Sequence, residues 1–153
     1  MTIPELLEKR ASEHGNRAFV FLEEVEYSYK TLHEHACCVA ANLKNRGLGL
    51  GDKIVLLTGN CMEFLYVFLG AGRIGCVVVP VNPTLTPAEL SHIVNNSDAT
   101  AIVMVPDLAP LLPAIHANMP NVRHVFVTGD VPIEGTQPFA QLLEPVQEIP
   151  PIV

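Results

Sequence analysis

Charge is scarce in this chain. Only 16% of its 153 residues are charged, against roughly 25% in ordinary soluble domains, and its mean hydropathy is positive. The balance of charge is acidic, with a net of −7, so neither a nucleic acid nor an anionic membrane surface finds a complementary field. Cysteine pairs at metal or redox spacing are missing as well. Cys37, Cys38, Cys61 and Cys76 form no C-x-x-C, and each lies in an apolar pattern. They read as small buried hydrophobes in a reducing compartment, the cytoplasm.

The opening MTIPELLEKR lacks the basic-then-apolar form of a signal peptide. Phe64 to Val81 is 18 residues with Arg73 as its one charge, so a membrane span must be weighed. Gly70, Gly72, Gly75 and Pro80 interrupt it, and its second half is β-rich, which favours a soluble helix, turn and strand. No internal repeat and no low-complexity tract is present. A hydrolase is poorly supported, because Ser12, Ser28, Ser91 and Ser97 lack a nucleophile-elbow context. The four lysines, Lys9, Lys30, Lys44 and Lys53, follow no glycine-rich phosphate cradle. His33 and Cys37 stand one helical turn apart, but His35 points to another side and no second ligand pair appears, so no metal site is assigned.

What is present is organised around Gly75 to Leu90, GCVVVPVNPTLTPAEL. Cys76 to Val81 is an unbroken apolar run, rich in valine and with Pro80 near its end, expected to be a central parallel strand buried on both faces. Asn82 and Pro83 stop it. Thr86, Pro87 and Glu89 then open a helix as cap, first position and capping-box partner. The same unit recurs. Thr2 and Glu5 begin a helix that stops at Gly15. Ala18 to Leu22 and Val25 to Tyr29 predict a hairpin around Glu23-Glu24. Ser28 caps a helix whose Leu32, Ala36, Val39, Ala40 and Leu43 share a face, ending at Gly47.

Lys53 to Leu57 is a buried strand after the Gly51-Asp52 turn, and Asn60 is expected to cap the next helix with Glu63 at the box position. That helix is apolar nearly all round and should be covered on more than one side. Strands follow at Thr100 to Val105 and Val122 to Val127. Between them a helix runs from Asp107 toward Met119, irregular at Pro110 and Pro113. Pro138 to Leu143 is a short helix. The tail EPVQEIPPIV reads as a linker or truncated end, giving a domain over 1–145 and a proline-rich end over 146–153.

This pattern predicts an α/β fold: a mostly parallel sheet with helices on both faces, plus an N-terminal hairpin at an edge or in its own small sheet. Ligands in such sheets sit beyond the carboxyl ends of the strands, here the loops near Thr58 to Asn60, Asn82 to Thr84 and Pro106 to Asp107. Gly70-Ala71-Gly72-Arg73-Ile74-Gly75 is a literal G-x-G-x-x-G with Glu89 further on, yet a dinucleotide site needs the strand before the glycines and the helix after. Here the order is reversed, so the small residues are expected to end a helix packed tightly on the sheet. Thr58-Gly59-Asn60 is a strand-to-helix turn that could offer amides to an anion, but Glu63 and Glu89 oppose negative charge there. The low charge itself has two accounts: a compact domain whose parallel strands need apolar sequence, or a piece of a larger protein with one face normally covered.

Two blocks carry a family resemblance. Leu69 to Ala99, LGAGRIGCVVVPVNPTLTPAELSHIVNNSDA, resembles the N-terminal region of the AMP-forming adenylating enzymes, nearest to fatty-acid–CoA ligases. Tyr27 to Asn60, YSYKTLHEHACCVAANLKNRGLGLGDKIVLLTGN, resembles their aromatic-anchored helix followed by Gly-Asp and a strand. The likeness covers nearly the whole chain, more loosely after about Val127.

It implies the N-terminal subdomain of the adenylate-forming fold. It also implies a parent enzyme that joins a carboxylic acid to ATP with Mg²⁺ and then passes the acyl group to coenzyme A. The family's Ser/Thr/Gly-rich loop ending in Pro-Lys-Gly, its ribose-binding acid and its mobile lysine do not occur here. The resemblance therefore implies a fragment without catalytic residues or cofactors of its own. Its expected partners are the remainder of its own chain and, through an exposed apolar face, a homodimer. The loop after the organising strand lies toward coenzyme A in the family, which nominates Asn82 and Thr84 as ligand-side residues. Some relatives carry a basic residue where Thr84 stands, so a phosphate contact is not carried over. The competing reading is a stand-alone α/β binding or scaffold module of the same descent. A third, a nucleotide-binding protein using its glycine cluster, is weaker.

Overall fold

The structure is a computed structural model that describes residues 1–153. Five helices and seven strands follow in chain order: α1 (Ile3–His14), β1 (Ala18–Leu22), β2 (Val25–Ser28), α2 (Tyr29–Asn45), β3 (Lys53–Leu57), α3 (Met62–Arg73), β4 (Val77–Pro80), α4 (Pro87–Asn96), β5 (Ala101–Met104), α5 (Leu112–Asn118), β6 (His124–Val127) and β7 (Gln137–Pro138). The main sheet is wholly parallel, five strands in the order β4-β3-β5-β6-β7, and β1-β2 form a separate antiparallel pair. No helix is long and apolar enough to cross a membrane.

Period-two alternation sorts each central strand between two cores. Ile54 and Leu56 of β3, Ala101 and Val103 of β5 and Phe126 of β6 join Leu32, Val39, Leu43 and Val67 of α2 and α3 on one face. Val55, Leu57, Ile102, Met104, Val125 and Val127 meet Leu90, Val94 and Ile115 of α4 and α5 on the other. Continuous apolar runs are what strands covered on both faces require.

The organising run is not central. β4 is an edge strand, shorter than expected, with Val77 and Pro80 exposed and Val78 and Val79 half-buried. The centre belongs to β3 and β5. Pro80 is the physical reason. Val77 and Val81 donate their N–H groups to Asp52 and Leu56 of the neighbouring segment, so the alternating position Pro80 turns its missing N–H outward, where a proline is tolerated.

The cap expected at Asn60 also moves. Cys61 takes that position, with φ −144° and no side-chain hydrogen bond. The residue three positions on is then Phe64, and Glu63 falls one short of closing a box. The boxes at Thr2/Glu5 and Thr86/Glu89 both form, and Ser28 accepts from the Thr31 N–H at 3.1 Å. At Thr86, Glu89 accepts from both the N–H (2.9 Å) and the hydroxyl (2.7 Å). Thr86→Ala is expected to lower unfolding stability by about 1 kcal/mol, read by chemical denaturation; a change within error would mean the cap is idle.

The proline-interrupted helix resolves into a 3₁₀ segment, Pro106–Leu111, followed by α5 with Pro113 in its first turn. Gln137–Pro138 pairs parallel to β6, a strand too short to read from sequence, and Phe139–Leu142 is 3₁₀ instead of α. Residues of the tail lie against the body. Asn42 Nδ2 donates to the carbonyls of Leu142 (3.2 Å) and Glu144 (2.9 Å). Arg73 Nε donates to Pro150 O (2.7 Å), and Val153 N to Arg73 O (3.0 Å).

Candidate functional site

The glycine cluster lies in the last turns of α3 and in the turn after it. Its packing partner is α2, not the sheet as expected. A Cβ on Gly70 would stand 2.6 Å from Ala36 O and 2.9 Å from Val39 Cβ, so the glycine allows two helix backbones to meet. Gly75 sits at φ +75° beneath Leu50, the left-handed region open to residues without a Cβ. These glycines shape packing and present no amides to a ligand.

The cavity is elsewhere, at the carboxyl ends of β3 and β4. It holds about 560 Å³ and is bounded by the turn Thr58–Cys61, the first residues of α3, the segment Pro80–Pro83, and Val20 and Leu22 of the hairpin. β1 alternates, turning Val20 and Leu22 inward and Phe19 and Phe21 out. Phe19 stacks on Tyr29 at 4.3 Å, which fixes the hairpin over α2. Two of the three expected ligand-side loops thus converge, while Pro106–Asp107 lies outside the cleft. The hairpin's part in the wall went unread in sequence; its signal is the alternation of small and large apolar residues in AFVFL.

No charged side chain lines the cleft. Its polar groups are Thr58, Asn60, Cys61 and Asn82. Thr58 Oγ1 is buried without a hydrogen-bond partner. Burial pushes the Cys61 thiol up, so it is a neutral wall group. Asn82 lines the rim, but its Oδ1 accepts from Thr84 N (3.0 Å) and Thr84 Oγ1 (2.9 Å). That is an Asx turn, and it occupies the Thr84 hydroxyl within the loop, outside the cleft lining. The Asn82 side-chain amide alone is left to donate.

The helix starts nearby do not favour anions. α3 carries Glu63 in its first turn, and at α4 the Glu89 carboxylate already takes the Thr86 N–H. That backbone hydrogen bond holds the Glu89 carboxyl below its usual range, so it stays charged. These residues offer neither a cation nor a carboxylate to the cleft.

The remaining sequence candidates lie apart. His33 Nε2 is 3.5 Å from Cys37 Sγ on α2. Burial lowers the imidazole and raises the thiol, and no group of three metal-binding side chains gathers around them.

Comparison with known proteins gives one consistent result. The family described as AMP-binding enzyme matches residues 7–151. A long-chain-fatty-acid–CoA ligase of Salmonella typhimurium is 36% identical over 130 residues, 83% of this chain and 23% of that protein. The crystal structure of the anthranilate CoA ligase AuaEII with anthranoyl-AMP superposes with a TM-score of 0.88 at 26% identity, over 97% of this chain and 29% of that one. A putative long-chain-fatty-acid CoA ligase from Rhodopseudomonas palustris shares the fold at TM-score 0.89 and 20% identity, over 100% of this chain and 38% of that one.

Proposed function

The chain belongs to the AMP-binding enzyme family, and from that premise we propose that it is the N-terminal α/β part of an ATP-dependent fatty-acid–CoA ligase. The observation that carries this is the match over residues 7–151 to a family whose curated fatty-acid ligase member it parallels for 23% of its length. In that reaction the acid's carboxylate attacks the α-phosphorus of ATP and expels pyrophosphate. The coenzyme A thiol then displaces AMP to give the thioester. Residues outside this chain would hold ATP and Mg²⁺, since the cleft here offers the phosphates no cation.

What these residues supply is a neutral, apolar wall beyond β3 and β4, with Asn82 and Thr84 as the ligand-side loop. Residues 1–145 are the subdomain in this reading, and 146–153 a proline-rich end that lies back against it at Arg73. The four unpaired cysteines, Cys37 and Cys76 buried and Cys38 and Cys61 half-buried, agree with a cytoplasmic setting. The partner is the rest of the same polypeptide, and the face it covers includes Phe68 and Val77, both exposed here. A homodimer formed through that face is the competing occupant, and light scattering of the short chain distinguishes the two.

The test is thioester formation by these residues joined to their natural continuation, given ATP, Mg²⁺, coenzyme A and fatty acids of graded length. Acyl-CoA and AMP should appear in equal amounts. An inactive, folded protein across all acids would overturn the ligase reading.

A further inference from the structure

At the other edge of the sheet from the cleft, and toward the opposite end of its strands, three side chains close a ring. Arg46 Nε donates to Gln137 Oε1 (3.1 Å), Gln137 Nε2 contacts His124 Nδ1 (3.0 Å), and His124 Nε2 contacts the Arg46 carbonyl (3.1 Å). Each partner has one role. The amide nitrogen only donates, so Nδ1 must accept; the carbonyl only accepts, so Nε2 must carry the hydrogen. The ring therefore requires a neutral His124 in one tautomer. We propose that His124, Gln137 and Arg46 form a pH-sensitive latch that holds β7 and the turn after it closed while His124 is neutral, and releases them when it is protonated.

Protonation at Nδ1 sets donor against donor. Turning the Gln137 amide over presents Oε1 to the imidazolium but places the NH₂ against Arg46 Nε, so neither orientation satisfies both neighbours. The charges around His124 make matters worse. Arg46 approaches from the C-terminal cap of α2 and Arg123 immediately precedes β6, while β5 offers Ala101 and β7 the neutral Gln137. Asp52 is engaged with Arg123 at 3.3 Å. Burial first, and then the two arginines, lower the His124 pKa below its usual value, against the Arg46 carbonyl.

The sign follows. An opened segment takes up a proton more readily than the closed one, so closure is strongest above the usual histidine range and weakens as pH falls through it. What is released is substantial. Phe139 and Leu142, just after the latch, are buried in the main core, and the Arg46 guanidinium also holds Gln141 (3.0 Å). The latch stands at the opposite end of the strands from the cleft and does not depend on the ligase reading.

Hydrogen exchange over residues 137–143, corrected for intrinsic rates, tests it between about pH 8 and about pH 5. Protection should fall with pH, by at most roughly tenfold per pH unit. His124→Gln should flatten the dependence. Gln137→Glu should reverse it, because a carboxylate accepts from both Arg46 and a protonated His124. Imidazole ¹⁵N shifts should show the neutral ring protonated at Nε2, a readout that survives if a variant fails to fold. A flat wild-type profile, an unchanged slope in His124→Gln, an unreversed slope in Gln137→Glu, or a hydrogen on Nδ1 would each overturn the latch.

Discussion

The 153-residue chain, assayed alone, is expected to exchange no measurable pyrophosphate into ATP with any fatty acid. Attack on the α-phosphate moves charge onto the departing pyrophosphate, and that charge must be met by cations and amides already in place. Removing even one such donor costs about 10²–10³ in rate. No basic side chain lines the cleft, and several are engaged elsewhere. Lys9 and Lys30 sit beside Glu13 and Glu34. Arg73 is turned onto the Pro150 carbonyl and Glu8, and Arg46 is held by Gln137 and Gln141. Lys53 and Arg123 lie at the amino ends of their strands, across the sheet from the cleft. Isotope exchange on the short chain, shown folded by circular dichroism, decides the matter. Exchange above background would mean that these residues bind the phosphates themselves, and the fragment reading would be lost.

Gly70 and Gly72 stand two residues apart on α3 and should respond to alanine with opposite signs. At Gly70 the added Cβ meets the backbone carbonyl of Ala36 at 2.6 Å and the Val39 side chain at 2.9 Å. A backbone atom has nowhere to retreat without parting the helices. Overpacking of this kind costs about 1–3 kcal/mol, enough to outweigh the roughly 1 kcal/mol that alanine adds to a helix interior over glycine. Gly70→Val adds two further carbons at the same point, and a loss above about 3 kcal/mol is expected. At Gly72 the nearest atom is Pro4 Cγ at 3.6 Å, an ordinary contact, so Gly72→Ala should be neutral or stabilising by up to about 1 kcal/mol. Urea denaturation of the variants measures all three. Equal tolerance at both sites would mean that α2 and α3 do not cross at Gly70.

Local signals in the sequence carried far. The boxes at Thr2 and Thr86 are legible because cap and partner lie within one turn, and Lys53 to Leu57 is legible because a strand covered on both faces must be apolar throughout. The same reasoning misplaced Cys76 to Val81. Its apolar content does not distinguish a buried strand from an edge, whereas Pro80 does, since it removes a ladder donor. Asn60 failed for a finer reason: a one-residue shift of the helix start changes which residue is third, and nothing in Asn-Cys-Met fixes that shift. β7 was invisible because two residues carry no period. Of the site, the converging loops at Thr58 and Asn82 follow from the alternation of strands and helices. Val20 and Leu22 do not, because they reach the cleft through the seating of the hairpin on α2. The proposed reaction is legible only through family resemblance, as the cleft lining contains no charged acid or base from which to derive one.

The proline at the sheet's edge has a consequence for how this chain behaves among copies of itself. By side chains alone, Val77 to Val81 is the kind of segment that seeds cross-β stacking: short, β-branched and uncharged. An incoming strand, however, pairs with backbone groups. Val77 and Val81 have spent their N–H groups on β3, alternation directs that of Val79 the same way, and Pro80 has none. Within the strand the outer rim offers Val78 as its one amide donor, so a polypeptide laid against it finds carbonyls with little to answer its own. The edge is apolar enough to be covered by side chains and too poor in donors to be extended as a ladder, the protection against fibrous self-templating that edge strands require.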